Sequence, residues 1–520
     1  MRYFKKIFYF FSLFIAISTF LYPKTADEIL KHIPELEKEI LKSKDAYRAT
    51  GLSIAIVKDG NIIYTKSFGT KENGKNEEID NDTIHQIASL SKTFLSYLIA
   101  KLVDEGILSW DMPIHKVLPE LIFSDETANK SATLLDLLTH RIGLSPFSGD
   151  TLWHLAYKDI EILKALKNLP FKYKFRELYT YQNHMFGAAS IIVERVTKKT
   201  IAQLFDEKIF KPLGMKTASV GLKPLQPTFF GFKKKNVAYP HDIRDGKVYT
   251  KPFMEESFLF PGSTGVNLSI KDAAIWLQFL INDYTFEGKA FLKPETLKFI
   301  RSPKVVCKFK EDDLMFPHER FTDSSYDVGM FEHKYAGHHM YSHMSGFNGV
   351  RGYLAFFPDE KMGFIILSNY GSMKVSLMPE VIRGYFLDWY FDLSTINWIE
   401  RIHNLENKYK KMYENNRLNE KLMSPQASRK LSDYIGTYTN IFYGAIDVIE
   451  ENNQLRMKYR EKSVTLNHWN GDSFNIKPYE LNPTLNDLDY CPIYFTINNY
   501  QKPELHIGQM YEGKAVFVKK

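Results

Sequence analysis

Ser89 and Lys92 stand three residues apart in Ile87-Ala-Ser-Leu-Ser-Lys-Thr-Phe94, at the head of the apolar run from Leu95 to Val103. A serine hydroxyl is a weak nucleophile until a base takes its proton, and a neutral amine is such a base. If the segment is helical, the two side chains share one face, a turn apart. An ordinary lysine, with a pKa of ~10.4, must fall by about 3 units, or roughly 4–5 kcal/mol, to be half neutral at pH 7. Burial or neighbouring cations cause such a fall. A helix N-terminus acts in the same direction and offers the Ser89 N–H to a developing oxyanion. The bland alternative is an N-cap serine beside a solvated lysine, because Ser-x-x-Lys alone is a cheap pattern. It occurs once in this chain, and on an apolar segment.

Two later segments supply partners. Tyr179-Thr-Tyr-Gln-Asn-His-Met-Phe-Gly187 runs into an apolar helix pattern, Ala188 to Val196. Tyr181 offers a phenol that can share the base role, and Asn183 an amide that can bond both Lys92 and a substrate carbonyl. Tyr-x-Asn recurs at Tyr413 and Tyr438, in a charged connector and in a β-rich segment. Only Tyr181 lies between Ser89 and the later strands. The third segment is Tyr341-Ser-His-Met-Ser-Gly-Phe-Asn-Gly349. There a strand edge could hold an acyl group, the Gly346 N–H could be a second oxyanion donor, and His343 would project into the cleft to orient substrate. With fifteen histidines in the chain, a satisfied core or surface role for His343 is an even alternative. His333, His338 and His339 cluster nearby, but spacing such as His-Glu-x-x-His is absent, so no metal is expected.

The elements that must position these groups read as an α+β fold. Leu52 to Val57 and Ile62 to Phe68 are β-rich runs joined at Asp59-Gly60; Gly349 to Phe357 and Gly363 to Asn369 form a second hairpin around Pro358-Asp359. Strands at both ends with helices between predict one antiparallel sheet flanked by helices, with a helical subdomain over residues 90–300. Ala26 to Lys44 reads as an amphipathic helix through Ile29, Leu30, Ile33, Leu36, Ile40 and Leu41, and Pro379 to Tyr390 as a helix packing back on the sheet. This domain spans 25–395. A helical connector follows at 396–428, then a small all-β domain at 429–520 with runs at Ala445–Ile449, Gln454–Tyr459, Pro492–Ile497 and Ala515–Lys519.

Residues 1–22 read as an export signal: Arg2, Lys5 and Lys6 precede an apolar stretch, Ile7 to Leu21. Without a clean small-x-small cleavage site, a membrane tether through residues 7–21 stays open. The 520 residues carry a formal charge of +7, 44% hydrophobic and 15% aromatic content. That suffices for a large core and gives no nucleic-acid footprint. Loss of the leader would leave a charge of about +4. Cys307 and Cys491 are too few for a disulfide framework.

These segments together resemble the serine β-lactamase and penicillin-binding protein superfamily, on the branch of class C β-lactamases and D-amino-acid peptidases. Ser89-Leu-Ser-Lys92 is similar to its first motif and Tyr181-Gln-Asn183 to its second; His343-Met-Ser345 stands where the family has Lys-Thr-Gly or His-x-Gly. Supporting phrases follow in order: Ile107 to Pro113, Leu134 to Leu144, Lys211 to Met215, Pro261 to Gly265, Ser269 to Asp272 and Tyr326 to Gly329. The likeness covers about 45–390. Residues 429–520 resemble the lipocalin-like barrel attached to some of these hydrolases, through Leu431 to Tyr438, Tyr443-Gly444 and His468-Trp469.

The resemblance implies a transpeptidase-like fold and an acyl-enzyme at Ser89. Lys92 and Tyr181 would handle protons, the Ser89 and Gly346 N–H groups would form an oxyanion hole, and no cofactor is needed. It departs from the family pattern at Ser345, which adds a side chain where the family has glycine, and at His343, which weakens the fixed charge for a carboxylate. Both point away from an efficient β-lactamase, and rapid ampicillin turnover would contradict that expectation. The expected function is an exported serine hydrolase, periplasmic or associated with the cell envelope. Its substrate would be a small peptide, amide or ester, peptidoglycan-derived in one reading, cleaved by a D-alanyl carboxypeptidase, D-aminopeptidase or esterase activity. A β-lactamase and a non-catalytic sensor of the same fold remain the alternatives.

Overall fold

The computed structural model describes residues 23–520 apart from 156, 227–234, 245, 254, 310–312, 314, 348, 372–376, 420–428, 478–490 and 511–512. The leader expected at 1–22 and the end of the connector at 420–428 lie outside the described residues. No described helix is long and apolar enough to cross a membrane.

An eight-stranded antiparallel sheet organises the first domain. Its order is Val305–Val306, Phe321–Tyr326, Phe331–Tyr335, His338–Phe347, Val350–Phe357, Met362–Ser368, Gly51–Lys58, Asn61–Gly69. The two hairpins meet towards one side of it, where Leu52 faces Ser368 and Lys58 faces Met362, so the ends of the domain close one sheet as the sequence predicts. The pleat splits the apolar residues between two cores. Ala55, Val57, Leu354, Phe356, Ile365 and Leu367 face the helical subdomain. Leu52, Ile54, Ile56, Tyr353, Phe364 and Ile366 face the helices Ala26–Ala46, Met378–Tyr390 and the start of Trp398–Asn419. The sheet is therefore buried on both sides.

Ala26–Ala46 opens on a capping box between Thr25 and Glu28. It buries Ile29, Ile33, Leu36 and Ile40, one face at three- and four-residue spacing. Leu30 and Leu41, expected on that stripe, are 43% and 46% exposed, because each lies one residue beyond an inward position and so about 100° off the buried line. Ser91–Asp104 is buried on nearly every side. It packs against Asn183–Thr197 and, through Phe94 and Tyr97 on Trp276 and Phe279, against Ile270–Ile281, the helix that lies on the sheet.

Among the described residues the C-terminal domain is a nine-stranded antiparallel sheet whose edge strands are Lys462–Thr465 and Asn467–Asn470. Only Leu466 separates these edges in the chain, so the sheet curls nearly closed on itself. Its Tyr443 carbonyl and Tyr459 hydroxyl meet the Tyr157 hydroxyl of the helical subdomain at 2.9 and 2.8 Å. Leu155 joins Tyr443, Ile446, Met457, Tyr459, Ile507 and Phe517 around one small apolar cavity there. Cys307 and Cys491 are buried in different cores.

Candidate active site

The helix does not begin at Ser89. Ser89 sits in a 3-10 turn, Ala88–Leu90, that leads into Ser91–Asp104. Ala88 holds a φ of 44°, a left-handed conformation that costs a non-glycine residue energy and persists only when its surroundings enforce it. The enforcement comes from Val266: its carbonyl accepts the Ile87 N–H at 3.1 Å and its N–H donates to Ser91 Oγ at 3.0 Å.

Lys92 is fully buried, and its Nζ lies 3.1 Å from Ser89 Oγ, 2.9 Å from Asn183 Oδ1 and 3.2 Å from the Ser263 carbonyl. It also lies over the Tyr181 and Phe186 rings, 4.9 and 5.6 Å from their centroids. Burial lowers its pKa from 10.5 to about 7, with the Asp150 carboxylate opposing the fall. Desolvation is thus the main cause, and it follows from a helix enclosed by apolar side chains. Tyr181 hydrogen-bonds with the Ser89 side chain, yet burial keeps its own pKa well above 10. At neutral pH the phenol stays protonated while Lys92 is about half neutral, so Lys92 is the group able to take the Ser89 proton. Tyr181 can then pass a proton towards a leaving group.

The segment Leu134 to Leu144 positions Tyr181. Asp136 binds Arg141 Nε and Arg176 Nη2, each at 2.6 Å. The loop so braced presents His140, whose carbonyl accepts the Thr180 N–H at 2.7 Å and whose Nδ1 accepts the Gln182 N–H at 3.1 Å. Both neighbours of Tyr181 are thereby fixed, and the His140 ring lies 4.6 Å from the Tyr181 ring. Burial and the nearby Lys92 hold the His140 pKa far below 6.5.

On the third segment, His338–Phe347 pairs with Phe331–Tyr335 only from His338 to Ser342. From His343 onward that edge has no strand partner among the described residues, which leaves main-chain groups for a substrate to pair with. Gly346 is exposed there. His343 does not project into the cleft as expected: it is 1% exposed. Its Nδ1–H donates to the Met344 carbonyl at 2.7 Å and its Nε2 accepts from the Tyr326 hydroxyl at 3.3 Å. Burial lowers its pKa to about 3, so the ring is neutral. Ser345 is 2% exposed and does not obstruct the cleft as expected. Its Oγ fills the space that a side chain on the facing Gly352 would take.

His333 bonds Ser324, while His338 and His339 bond Glu360 and Glu332 at 2.6 and 2.8 Å. These histidines are dispersed on separate partners, and among the described residues no cluster of three His, Cys, Asp or Glu side chains could hold a metal ion.

The structure thus gathers Ser89, Lys92, Tyr181 and Asn183 at hydrogen-bond range. It adds three groups that pattern reading missed: the Ser263 carbonyl, His140 and Asp150. Pro261 to Gly265 and Leu134 to Leu144 carry the first two, but only as landmarks. A main-chain acceptor has no side-chain signature, and Asp150 lies in no motif.

Residues 29–382 match the family model described as Beta-lactamase, and residues 421–508 one described as a domain of unknown function, DUF3471. A protein named Unguisins hydrolase ungD', from Aspergillus campestris, is 24% identical over 461 residues, 85% of this chain and 82% of that protein. Protein flp of Staphylococcus aureus is 22% identical over 333 residues, and the match spans 64% of this chain and 61% of that one. The octameric penicillin-binding protein homologue from Pyrococcus abyssi superposes with a TM-score of 0.59 at 20% identity, covering 94% of this chain and 100% of that chain.

Proposed function

The chain belongs to the β-lactamase family of serine hydrolases, and on that premise we propose that it cleaves small amides or esters lacking a free carboxylate beside the scissile bond. The observation that carries this reading is the fully buried Lys92, its pKa brought down to about 7, 3.1 Å from Ser89 Oγ. Lys92 takes the Ser89 proton as Oγ attacks the carbonyl carbon, and the carbonyl π bond becomes an oxyanion held by the Ser89 and Gly346 N–H groups. The tetrahedral adduct collapses, the C–N or C–O bond breaks, and the leaving group takes a proton through Tyr181. Water then repeats the sequence on the acyl-enzyme.

The charge state of this edge narrows the substrate. His343 is neutral, and Arg351, on the strand beside Gly346, is engaged by Glu380. Among the described residues a carboxylate brought to this edge meets no cation that is not already paired, and an unpaired charge there costs desolvation energy. That favours a D-aminopeptidase, amidase or esterase activity over a carboxypeptidase, and disfavours penicillins, which carry a carboxylate. A relative from Aspergillus campestris is itself named a hydrolase, of unguisins, which accords with a hydrolytic role. Export to the cell envelope, argued from residues 1–22, would place the enzyme among peptidoglycan-derived peptides.

Intact-mass spectrometry after a fluorophosphonate probe tests the nucleophile: a single adduct is expected, absent in Ser89→Ala. A D-alanyl amide should then turn over faster than the same peptide ending in a free carboxylate. No adduct on folded wild-type protein, or the reverse preference, would overturn the reading.

A further inference from the structure

A neutral lysine amine has two N–H donors and one lone pair, and only the lone pair can accept the serine proton. Two acceptors surround Lys92 Nζ besides Ser89: Asn183 Oδ1 at 2.9 Å and the Ser263 carbonyl at 3.2 Å. If they take the two N–H groups, the lone pair is left facing Ser89. The Ser263 carbonyl cannot turn into a donor. The Asn183 side chain can, because an amide presents an acceptor on one side and a donor on the other.

What stops it is Asp150. Its carboxylate is 4% exposed, and Oδ2 accepts the Asn183 Nδ2–H at 2.8 Å. A carboxylate accepts only, so Nδ2 must face it and Oδ1 must face Lys92. Asp150 itself is held by a tight turn: its N–H donates to the Phe147 carbonyl at 3.0 Å. Gly149 precedes it with a φ of 94° and lies so close to His184 that an added Cβ would come within 2.5 Å of that ring. The second oxygen, Oδ1, lies 3.1 Å from His184 Nε2 but off any hydrogen-bond direction.

We propose that Asp150 is a positioning residue for the base: it fixes the Asn183 amide so that the Lys92 lone pair points at Ser89. The proposal rests on the serine hydrolase reading above. Its charge has a separate, measurable effect. The titratable groups around Lys92 are Tyr181, His140, His343 and, behind Asp150, His184. Tyr181 stays protonated, and His140 and His343 stay neutral at pH 7. Asp150 is the group whose charge raises the Lys92 pKa against the effect of burial.

The test is the pH dependence of fluorophosphonate acylation for wild type, Asp150→Asn and Asp150→Ala, with thermal melts alongside. Asp150→Asn keeps an acceptor for Asn183 and removes the charge. Its plateau rate should stay within several-fold of wild type, while its acid limb moves to lower pH by about half a unit or more. Asp150→Ala frees the amide, and its plateau should fall by about 10–100-fold. An unmoved limb in folded Asp150→Asn, or a wild-type plateau in Asp150→Ala, would overturn the proposal. So would equal slowing of both variants without a pH shift, which is what a purely structural role would give. If Asp150→Ala fails to fold, the limb of Asp150→Asn still decides. Failure of wild type itself to react would count against the hydrolase reading instead.

Discussion

Replacing Lys92 with methionine should change how stability depends on pH, by an amount the structure sets. Burial lowers the Lys92 pKa from 10.5 to about 7. A group whose folded pKa lies below its unfolded one binds fewer protons when folded. Stability therefore rises with pH between the two values, by about 1.4 kcal/mol per unit. Below about pH 7 the lysine is charged in both states and its burial costs roughly 5 kcal/mol; that cost fades as pH rises and is gone above about pH 10.5. Methionine is of similar length and does not titrate.

Denaturant unfolding of both proteins, at about pH 7 and about pH 9.5, gives two differences in stability. Between them the balance should move towards wild type by about 3 kcal/mol. Asp327 and Glu406, both pushed up to about 8 by burial, titrate in the same window, but Lys92 is not among the charges acting on them, so they cancel. The hydrogen bonds to Asn183 and Ser263 that methionine cannot make are missing at both pH values. A movement smaller than about 0.5 kcal/mol would refute the depressed pKa and with it the case for Lys92 as the resting-state base.

Two other substitutions probe what holds the site. In Gly262→Ala the new Cβ would come within 2.4 Å of Ser190 Oγ and 2.7 Å of Leu95, so the turn carrying the Ser263 carbonyl must move away from the helices. A stability loss of about 1–3 kcal/mol by denaturation should accompany slower fluorophosphonate acylation; normal acylation would show that the Ser263 carbonyl is dispensable. Tyr157→Phe removes the hydroxyl shared with Tyr443 and Tyr459. It should lower the unfolding free energy by about 1–2 kcal/mol, measured by denaturation, and leave the probe adduct intact.

The chemistry was largely legible in the sequence because it rests on residue types at short, fixed spacing. Ser89 and Lys92 lie within one helical turn, so any helix there brings them together whatever packs around it. The two hairpins were equally readable, since Asp59-Gly60 and Pro358-Asp359 are local turn signals between period-two runs. Their pairing in one sheet followed from placing strands at both ends of the domain. Three matters were decided only by the tertiary structure. The fall in the Lys92 pKa depends on enclosure from every side, and no pattern within Ser91–Asp104 reports what covers it. His343 stood evenly between meeting a substrate and a satisfied core role, and the second holds: Tyr326 and the Met344 carbonyl take both its ring nitrogens, and Tyr326 is seventeen residues away. The aim of the Lys92 lone pair is set by Asp150, Asn183 and the Ser263 carbonyl, which reach one point from three separate segments. Residue types and local spacing are written along the chain; burial, charge environment and the direction of a hydrogen bond belong to whatever distant segments the fold brings into contact.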